Sequence, residues 1–533
     1  MDTSDLFHNK SGFLRLSFGL QSAHRYSCRQ TIFLLRSVIH FALSFMLFLY
    51  LFALYFIRKP TVFDLSFVKK SFFFGLSFII VYICTRIYCD IVMAYYKRHI
   101  DDYLEEWHRS SSHKPLLIRG ARQVGKSTAV RQLGKVFKYY LEINLEKQPD
   151  LHQFFPDNIN VKRTCQLLSV STGIPVVPGE TLLFIDEIQS CQNAIRALRY
   201  FREDFPELHV IAAGSLLEFA LEDLPSFAVG RIRSFYLYPF SFDDFLSAQG
   251  LDALIQFKKE SVVNGTPLPE PIHRQLVEQL RTFYIVGGMP EAVSTWISSQ
   301  SFLDCKHIHS DILDTYQQDF SKYKKRVSPD LLRQVLRSVA LQAGTKFVFA
   351  QASREVPAAA VKDCLRLLSL AGLIKPVKHT AANGVPLGAE ENEKYIKYLF
   401  LDLGLMQTLL GLPSEDILLA SEVDFVNKGA ASEMFVGLEL LKAYDSFVKA
   451  EMFYWQNTDK GTQSEIDYLT VIGGKIIPVE VKANTQGKMQ SLHLFMEKHG
   501  SAYGIRTSLE NISSYTHNSH LIKVVPIYAL SAL

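Results

Sequence analysis

The sequence predicts an α/β protein: a parallel sheet first, then a helical middle, then a second α/β unit, with apolar helices at the N-terminus. Three observations carry this. Four short apolar runs recur between residues 115 and 215, each followed by a turn or a helix. A glycine-rich loop ending in Lys-Ser-Thr follows the first run directly. After residue 428 the pattern returns to paired strands with charged residues on one face.

The chain has 533 residues, enough for three or four domains of ordinary size. Its formal charge of +4 is small for this length and argues neither for nor against nucleic acid. The seven cysteines are scattered, with no CxxC and no zinc spacing. That is the usage of a reducing compartment, and the expected location is cytoplasmic.

Residues 95–109 read as a helix, with Ile100, Tyr103, Leu104 and Trp107 at helical spacing. The strand candidates are PLLIRG (115–120), YYLEINL (139–145), TLLFIDE (181–187) and HVIAAGS (209–215). Strands this apolar, separated by helices, belong to a parallel sheet covered on both faces. The expected first domain is 95–250. VNGTPLPEP (263–271) is a linker, and a helical lid with a winged helix-turn-helix is expected over 270–412. In that region a helix covers 331–341, Val361, Leu365, Leu368 and Leu370 form an apolar stripe, Gly372 ends the helix, and LIKPV enters the wing.

The loop GARQVGKST, Gly120 through Ala121, Arg122, Gln123, Val124, Gly125, Lys126 and Ser127 to Thr128, matches G-x-x-x-x-G-K-[ST]. Its glycines let the backbone curl so that N–H groups face phosphate oxygens, and the following helix adds its positive end. Lys126 would reach the β and γ phosphates and Ser127 would ligate Mg²⁺. LLFIDE supplies the second half: Asp186 for Mg²⁺ and Glu187 to polarise the attacking water. Ser215 ends a strand where it would sense the γ phosphate or cap a helix. Arg231, with Arg233 near it, would reach a phosphate in cis, act on a neighbouring copy of the chain, or form a surface ion pair. ATP with Mg²⁺ is the expected ligand.

Residues 1–94 differ. FALSFMLFLYLFALYFI (41–57) is uncharged and apolar, near the lower length limit for a bilayer span. A second run, 71–96, contains Arg86 and Asp90. No cleavage site for a signal peptide follows. Two spans with the nucleotide site in the cytosol would put Arg58, Lys59, Lys69 and Lys70 outside, against the positive-inside tendency. Met93 opens a natural domain start. The segment is therefore either a membrane anchor or an over-extended reading frame, and a membrane is a partner only in the first case.

RGARQVGKST, LLFIDEIQ, AAGS, VGRIRSFYLYPFSFDDF and GGMPEAV together resemble, in order and spacing, a prokaryotic family of AAA-type ATPases with a C-terminal domain of unknown function. The resemblance runs from about residue 95 to the end. It implies an AAA-like P-loop fold, a helical and winged-helix middle, and a restriction-endonuclease-like C-terminal unit. Residues 1–92 depart from the family pattern.

In that last unit, expected over 428–533, Glu433 lies on a helix. SEIDYLTVIGG and KIIPVEVKAN read as strands joined at Gly473-Gly474. Alternation puts Glu480 and Lys482 on one face, with Asp467 beside them on the preceding strand. This is similar to the D…E-x-K core of restriction-like nucleases. There carboxylates hold a hard cation and a lysine assists the attacking water; here the metal residues would be Glu433, Asp467 and Glu480. The winged helix and KYKKR (322–326) point to DNA phosphates. Two readings follow: an ATPase coupled to a nucleic-acid-acting domain, or an ATP-controlled switch, self-assembling, whose last domain only binds.

Overall fold

The computed structural model describes residues 95–222, 230–323, 327–413, 429–457, 464–482 and 489–533. Both apolar runs before residue 95 lie outside the described residues, as does the basic end of KYKKR. Among the described residues, no helix is long and apolar enough to cross a membrane.

Five parallel strands form the first sheet: β1 (Leu116–Arg119), β2 (Tyr139–Asn144), β3 (Thr181–Asp186), β4 (His209–Ala213) and β5 (Arg233–Tyr236), in the order β2-β3-β4-β1-β5. All four sequence-predicted strands are present. Every residue of β3 and β4 is buried, as a parallel sheet with two covered faces requires. The helices Val161–Thr172 and Gln192–Asp204 bury Val161, Cys165, Leu168, Ile195, Leu198 and Phe201 against one face. The first helix runs His99–Arg109 and buries Ile100, Leu104 and Trp107 at the spacing the sequence predicts. Because all strands are parallel, the C-terminal ends of β1, β3 and β4 meet at one edge, where such sheets bind ligands.

The middle is helical, with Glu270–Val286, Phe302–Asp319, Pro329–Leu341, Ala358–Leu370 and Leu403–Leu410 as its main helices. Ser328 caps the Pro329–Leu341 helix through a bond from Leu331 N (3.2 Å). In Ala358–Leu370 the stripe Val361, Leu365 and Leu368 is buried. The next strand, β6 (Ile374–Thr380), pairs antiparallel with β7 (Glu391–Phe400), where the sequence places a wing.

One sheet spans the segments on either side of the expected boundary between residues 412 and 428. β6 also pairs in parallel with β8 (Met452–Gln456). β6 and β7 thus complete an eight-stranded sheet with β9 (Glu465–Ile472), β10 (Lys475–Val481), β11 (Tyr503–Ser508), β12 (Ser513–His517) and β13 (His520–Pro526). Its order is β12-β13-β11-β10-β9-β8-β6-β7. The sequence alone gives no sign of this, because β6 and β8 are separated by more than seventy residues. β9 and β10 do form the predicted hairpin, with Gly473 and Gly474 both at positive φ.

One buried carboxylate ties the middle to the first domain. Asp402 accepts Leu405 N (3.1 Å), capping the helix Leu403–Leu410, and Gly288 N (2.6 Å). Gly288 O in turn accepts Phe240 N (2.7 Å), so close that a Cβ on Gly288 would lie 2.3 Å from Phe240 O. This gives the GGMPEAV motif a structural cause. Asp402→Ala leaves two buried N–H donors unsatisfied, and the midpoint of urea unfolding should drop by the equivalent of about 2–4 kcal/mol; an unchanged midpoint would contradict the tie.

Candidate functional site: a phosphate loop and a distant acidic cluster

The loop after β1 starts at Gly120, whose φ is +142°. A Cβ there would sit 2.2 Å from Leu237 O, so only glycine fits. Gly125, at φ +92°, leads into the helix Lys126–Gly134. Lys126 is 8 % exposed and donates from Nζ to Gly120 O (2.9 Å) and Ala121 O (2.7 Å). Burial lowers its pKa to about 8 against the opposing pull of Glu187 and Asp186.

Ser127 Oγ donates to Asp186 Oδ2 (3.1 Å), and Asn144 Nδ2 reaches the same oxygen (3.4 Å). Burial and the neighbouring Glu187 raise the Asp186 pKa. Glu187 sits in the left-handed region, φ +48°. Its Oε2 accepts Gln189 Nε2 (2.6 Å), Ser215 N (3.1 Å) and Ser215 Oγ (3.0 Å). Burial alone would raise its pKa, but these donors outweigh that and hold it below the usual value. The structure therefore brings Gly120, Gly125, Lys126, Ser127, Asp186, Glu187 and Ser215 to one sheet edge. The chemistry of this set fits a magnesium nucleotide: a buried ammonium for phosphate, a hydroxyl-carboxylate pair for a hard cation, and a second carboxylate beside them.

Arg231 is elsewhere. Arg233 opens β5 in register with Leu116, the first residue of β1, whereas the loop follows the last. Arg231 thus lies at the opposite sheet edge, in an ion pair with Glu203. A cis contact with phosphate is corrected by this placement, since the strand length intervenes.

The loop is gripped from outside the sheet. Arg122 Nη1 pairs with Asp319 Oδ2 at 2.7 Å, and Tyr316 Oη donates to Arg122 O (2.8 Å), both from the helix Phe302–Asp319. Arg98 Nη1 donates to Val124 O (3.0 Å). A Cβ on Gly372 would touch Ala121 at 3.1 Å, and one on Gly125 would reach Pro290 at 3.5 Å. Arg98 and Asp319 escape sequence reasoning because each acts through a non-local contact; Gln189 closes the LLFIDEIQ motif, whose pattern alone assigns it no role.

In the second sheet, Lys397 of β7 is the unexpected residue. It is 2 % exposed, bonds Glu433 Oε1 (2.8 Å), contacts Glu465 and lies 4.0 Å from Asp467. Glu480 Oε1 accepts Lys482 Nζ (2.6 Å), and Asp467 Oδ2 accepts Val481 N (2.8 Å). Burial first, then the charge of Asp467, pushes Glu433 and Glu480 up to about 8; burial likewise raises Asp467. Glu433, Asp467 and Glu480 do share one neighbourhood. As a three-ligand metal set they are corrected, because among the described residues no group of three or more His, Cys, Asp or Glu side chains is arranged to hold a metal. An ammonium stands at Glu433 instead.

Comparison with known proteins agrees with this division. Residues 112–246 match the family described as AAA domain. Residues 428–530 match one domain of unknown function (DUF4143), and residues 277–416 match another (DUF8612). The chain thus carries an AAA-type P-loop domain and a C-terminal domain of unknown function.

No curated protein matches the chain. Among solved structures, it is similar to the Aeropyrum pernix ORC1 protein in complex with DNA, at 11 % identity and a TM-score of 0.27, over 62 % of this chain and 98 % of that one. It is also similar to Drosophila ORC bound to DNA, at 15 % identity and a TM-score of 0.23, over 58 % and 85 %. The AAA domain is ATP-binding, and its fold rests on the strand order and loop geometry above.

Because the Lys126 ammonium must be charged to hold phosphate, kcat/KM for ATP should fall as pH rises through about 8, a limb that reports the free enzyme. A profile flat to pH 9.5 would remove Lys126 from phosphate binding.

Proposed function

We propose that this chain is a Mg²⁺-dependent ATPase whose turnover acts on a nucleic-acid-related, restriction-endonuclease-like C-terminal domain. The convergence of Lys126, the Ser127–Asp186 pair and Glu187 at one sheet edge carries the first half.

In the nucleotide complex, Lys126 exchanges its two loop carbonyls for phosphate oxygens. Ser127 and Asp186 would hold Mg²⁺, which would supply positive charge against the phosphates. Glu187 accepts the proton of the attacking water once Ser215 and Gln189 release its Oε2. Ser215 is suited to this, because its hydroxyl has a γ-phosphate oxygen as an alternative acceptor. Arg231, at the far edge, would serve phosphate only on a second copy of the chain, so that role requires self-assembly. If residues 1–94 anchor the chain to a membrane, that assembly forms at its surface.

Support for the second half is the hairpin carrying Asp467, Glu480 and Lys482 beneath the helix of Glu433, and the helices leading into β6 and β7. DNA is the proposed partner. A second reading, an ATP-controlled switch whose last domain binds without cutting, is favoured by Lys397 lying between Glu433 and Glu465.

Lys126→Ala should lower ATP turnover by about two orders of magnitude or more, the scale of losing a main charge-stabilising donor; turnover within a few-fold of wild type would remove the P-loop from the account. For the C-terminal domain, duplex and single-stranded DNA and RNA are incubated with the full chain, ATP and Mg²⁺ or Mn²⁺. Cleavage that Asp467→Asn abolishes supports the nuclease reading. Absence of cleavage on every substrate selects the binding-module reading.

A further inference from the structure

A cavity of about 270 Å³ lies where the five-stranded domain, the helical middle and the C-terminal unit meet. Hydrogen bonds tie its walls together. Tyr236 N donates to Ser446 O (2.7 Å), Lys442 Nζ to Phe240 O (2.8 Å) and Leu401 N to Leu373 O (2.8 Å). Gly120 and Ala121 of the phosphate loop form part of the wall, but Lys126, Ser127, Asp186 and Glu187 do not line it. The cavity is therefore separate from the nucleotide site and shares only the first two loop residues with it.

Apolar side chains line much of this cavity, Ile374, Leu401 and Leu438 among them, and its charge is one-sided. Five cationic side chains face one carboxylate, Glu218. Three of the five are already paired: Arg119 with Glu218, Arg366 with Glu222 and Lys442 with Glu439. Among the described residues, Lys375 of β6 and Lys449 have no carboxylate of their own. Burial first, and then the charge of Lys449, lower the Lys375 pKa to about 8, and the pull of Glu451 and Glu218 does not offset this. Lys375 is still largely protonated near neutral pH. In LIKPV it reads as part of a wing facing DNA, but the fold sets it on the cavity wall with Gly120 and Ala121. Two like charges brought together beside apolar surface are costly unless an anion joins them.

We propose that this cavity binds a small phosphate monoester with an apolar body, its dianion held between Lys375 and Lys449 and its body against Ile374, Leu401 and Leu438. A phosphate monoester carries nearly two negative charges at pH 7, which matches the two unpaired ammonium groups, and lysine serves phosphate as a point charge. The volume lies just under the usual span of small-ligand sites, about 300–1,000 Å³, so the ligand is small. An occupant bears on the loop whose carbonyls hold Lys126. The assignment does not depend on ATP hydrolysis or on any action upon nucleic acid.

Phenyl phosphate has this charge and body, and benzyl alcohol is its uncharged counterpart. Each is titrated against the full chain by isothermal calorimetry. Wild type should bind phenyl phosphate and not benzyl alcohol at the same concentrations. Lys375→Met and Lys449→Met should each weaken binding by about tenfold or more, the scale of losing a hydrogen bond to a charged group, while Lys126→Ala should keep it. Thermal melts check folding. A second measurement needs no variant. Pyridoxal 5′-phosphate, whose aldehyde condenses with a lysine amine, is fixed by borohydride reduction and located by peptide mapping. Label should appear on Lys375, and phenyl phosphate should protect it. No binding by wild type overturns the proposal. So does binding that Lys126→Ala removes and Lys375→Met keeps, which would place the probe in the P-loop, or label on Lys375 that phenyl phosphate does not protect. Displacement of phenyl phosphate by duplex DNA would assign the two lysines to a nucleic-acid surface and likewise overturn it.

Discussion

A buried lysine ammonium held by two backbone carbonyls sets the shape of the loop on which the rest of this molecule is assembled. Lys126 draws Gly120 O and Ala121 O towards it, and the backbone can close around that contact only because Gly120 has no Cβ to strike Leu237 O. Leu237 leaves β5, so the exit of the last strand is fitted to the same turn. Ala121 rests under Gly372, Arg122 is paired with Asp319, and Val124 O is held by Arg98. Three regions far apart in sequence therefore share one loop conformation.

This arrangement has a mechanical consequence. Close-packed interiors transmit small shifts instead of absorbing them. In the proposed nucleotide complex phosphate would take Lys126 from its two carbonyls, and Gly120 and Ala121 would lose the donor that fixes them. The contacts from Gly372 and the helix Phe302–Asp319 have to adjust with the loop. The helix Ala358–Leu370 and Gly372 lead directly into β6, and β6 is hydrogen-bonded into the same sheet as β9 and β10. A continuous set of packed elements thus runs from the ATP site to the acidic cluster. Glu187, meanwhile, is restrained by Ser215 and Gln189, which keeps the proposed base weak until a phosphate offers Ser215 another acceptor.

The features legible in the sequence are the local ones. The P-loop, the Asp186-Glu187 strand end, Ser215 and the Glu480–Lys482 hairpin follow from patterns only a few residues long. The chemistry of each fixes its spacing. Features made by distant segments were not legible. Lys397 stands in the strand ENEKYIKYLF, where its charge reads as a solvent-facing position, and only the fold turns it inward beneath the helix of Glu433. Asp319 is an ordinary acidic residue at a helix end until Arg122 is brought to it. The merging of β6 and β7 with the C-terminal sheet depends on pairing with β8, across a gap that no local pattern spans. Motif proximity groups Arg231 with the phosphate site, but strand direction carries it to the opposite edge.

The nucleotide site and the C-terminal half share one loop conformation. Hydrogen–deuterium exchange of the full chain, with and without a non-hydrolysable ATP analogue and Mg²⁺, tests it directly. Altered exchange is expected in peptides from Phe302–Asp319 and around Gly372 as well as in the loop itself, with all three changes lost in Lys126→Ala. A response confined to the five-stranded domain, with those middle peptides unmoved, would contradict it.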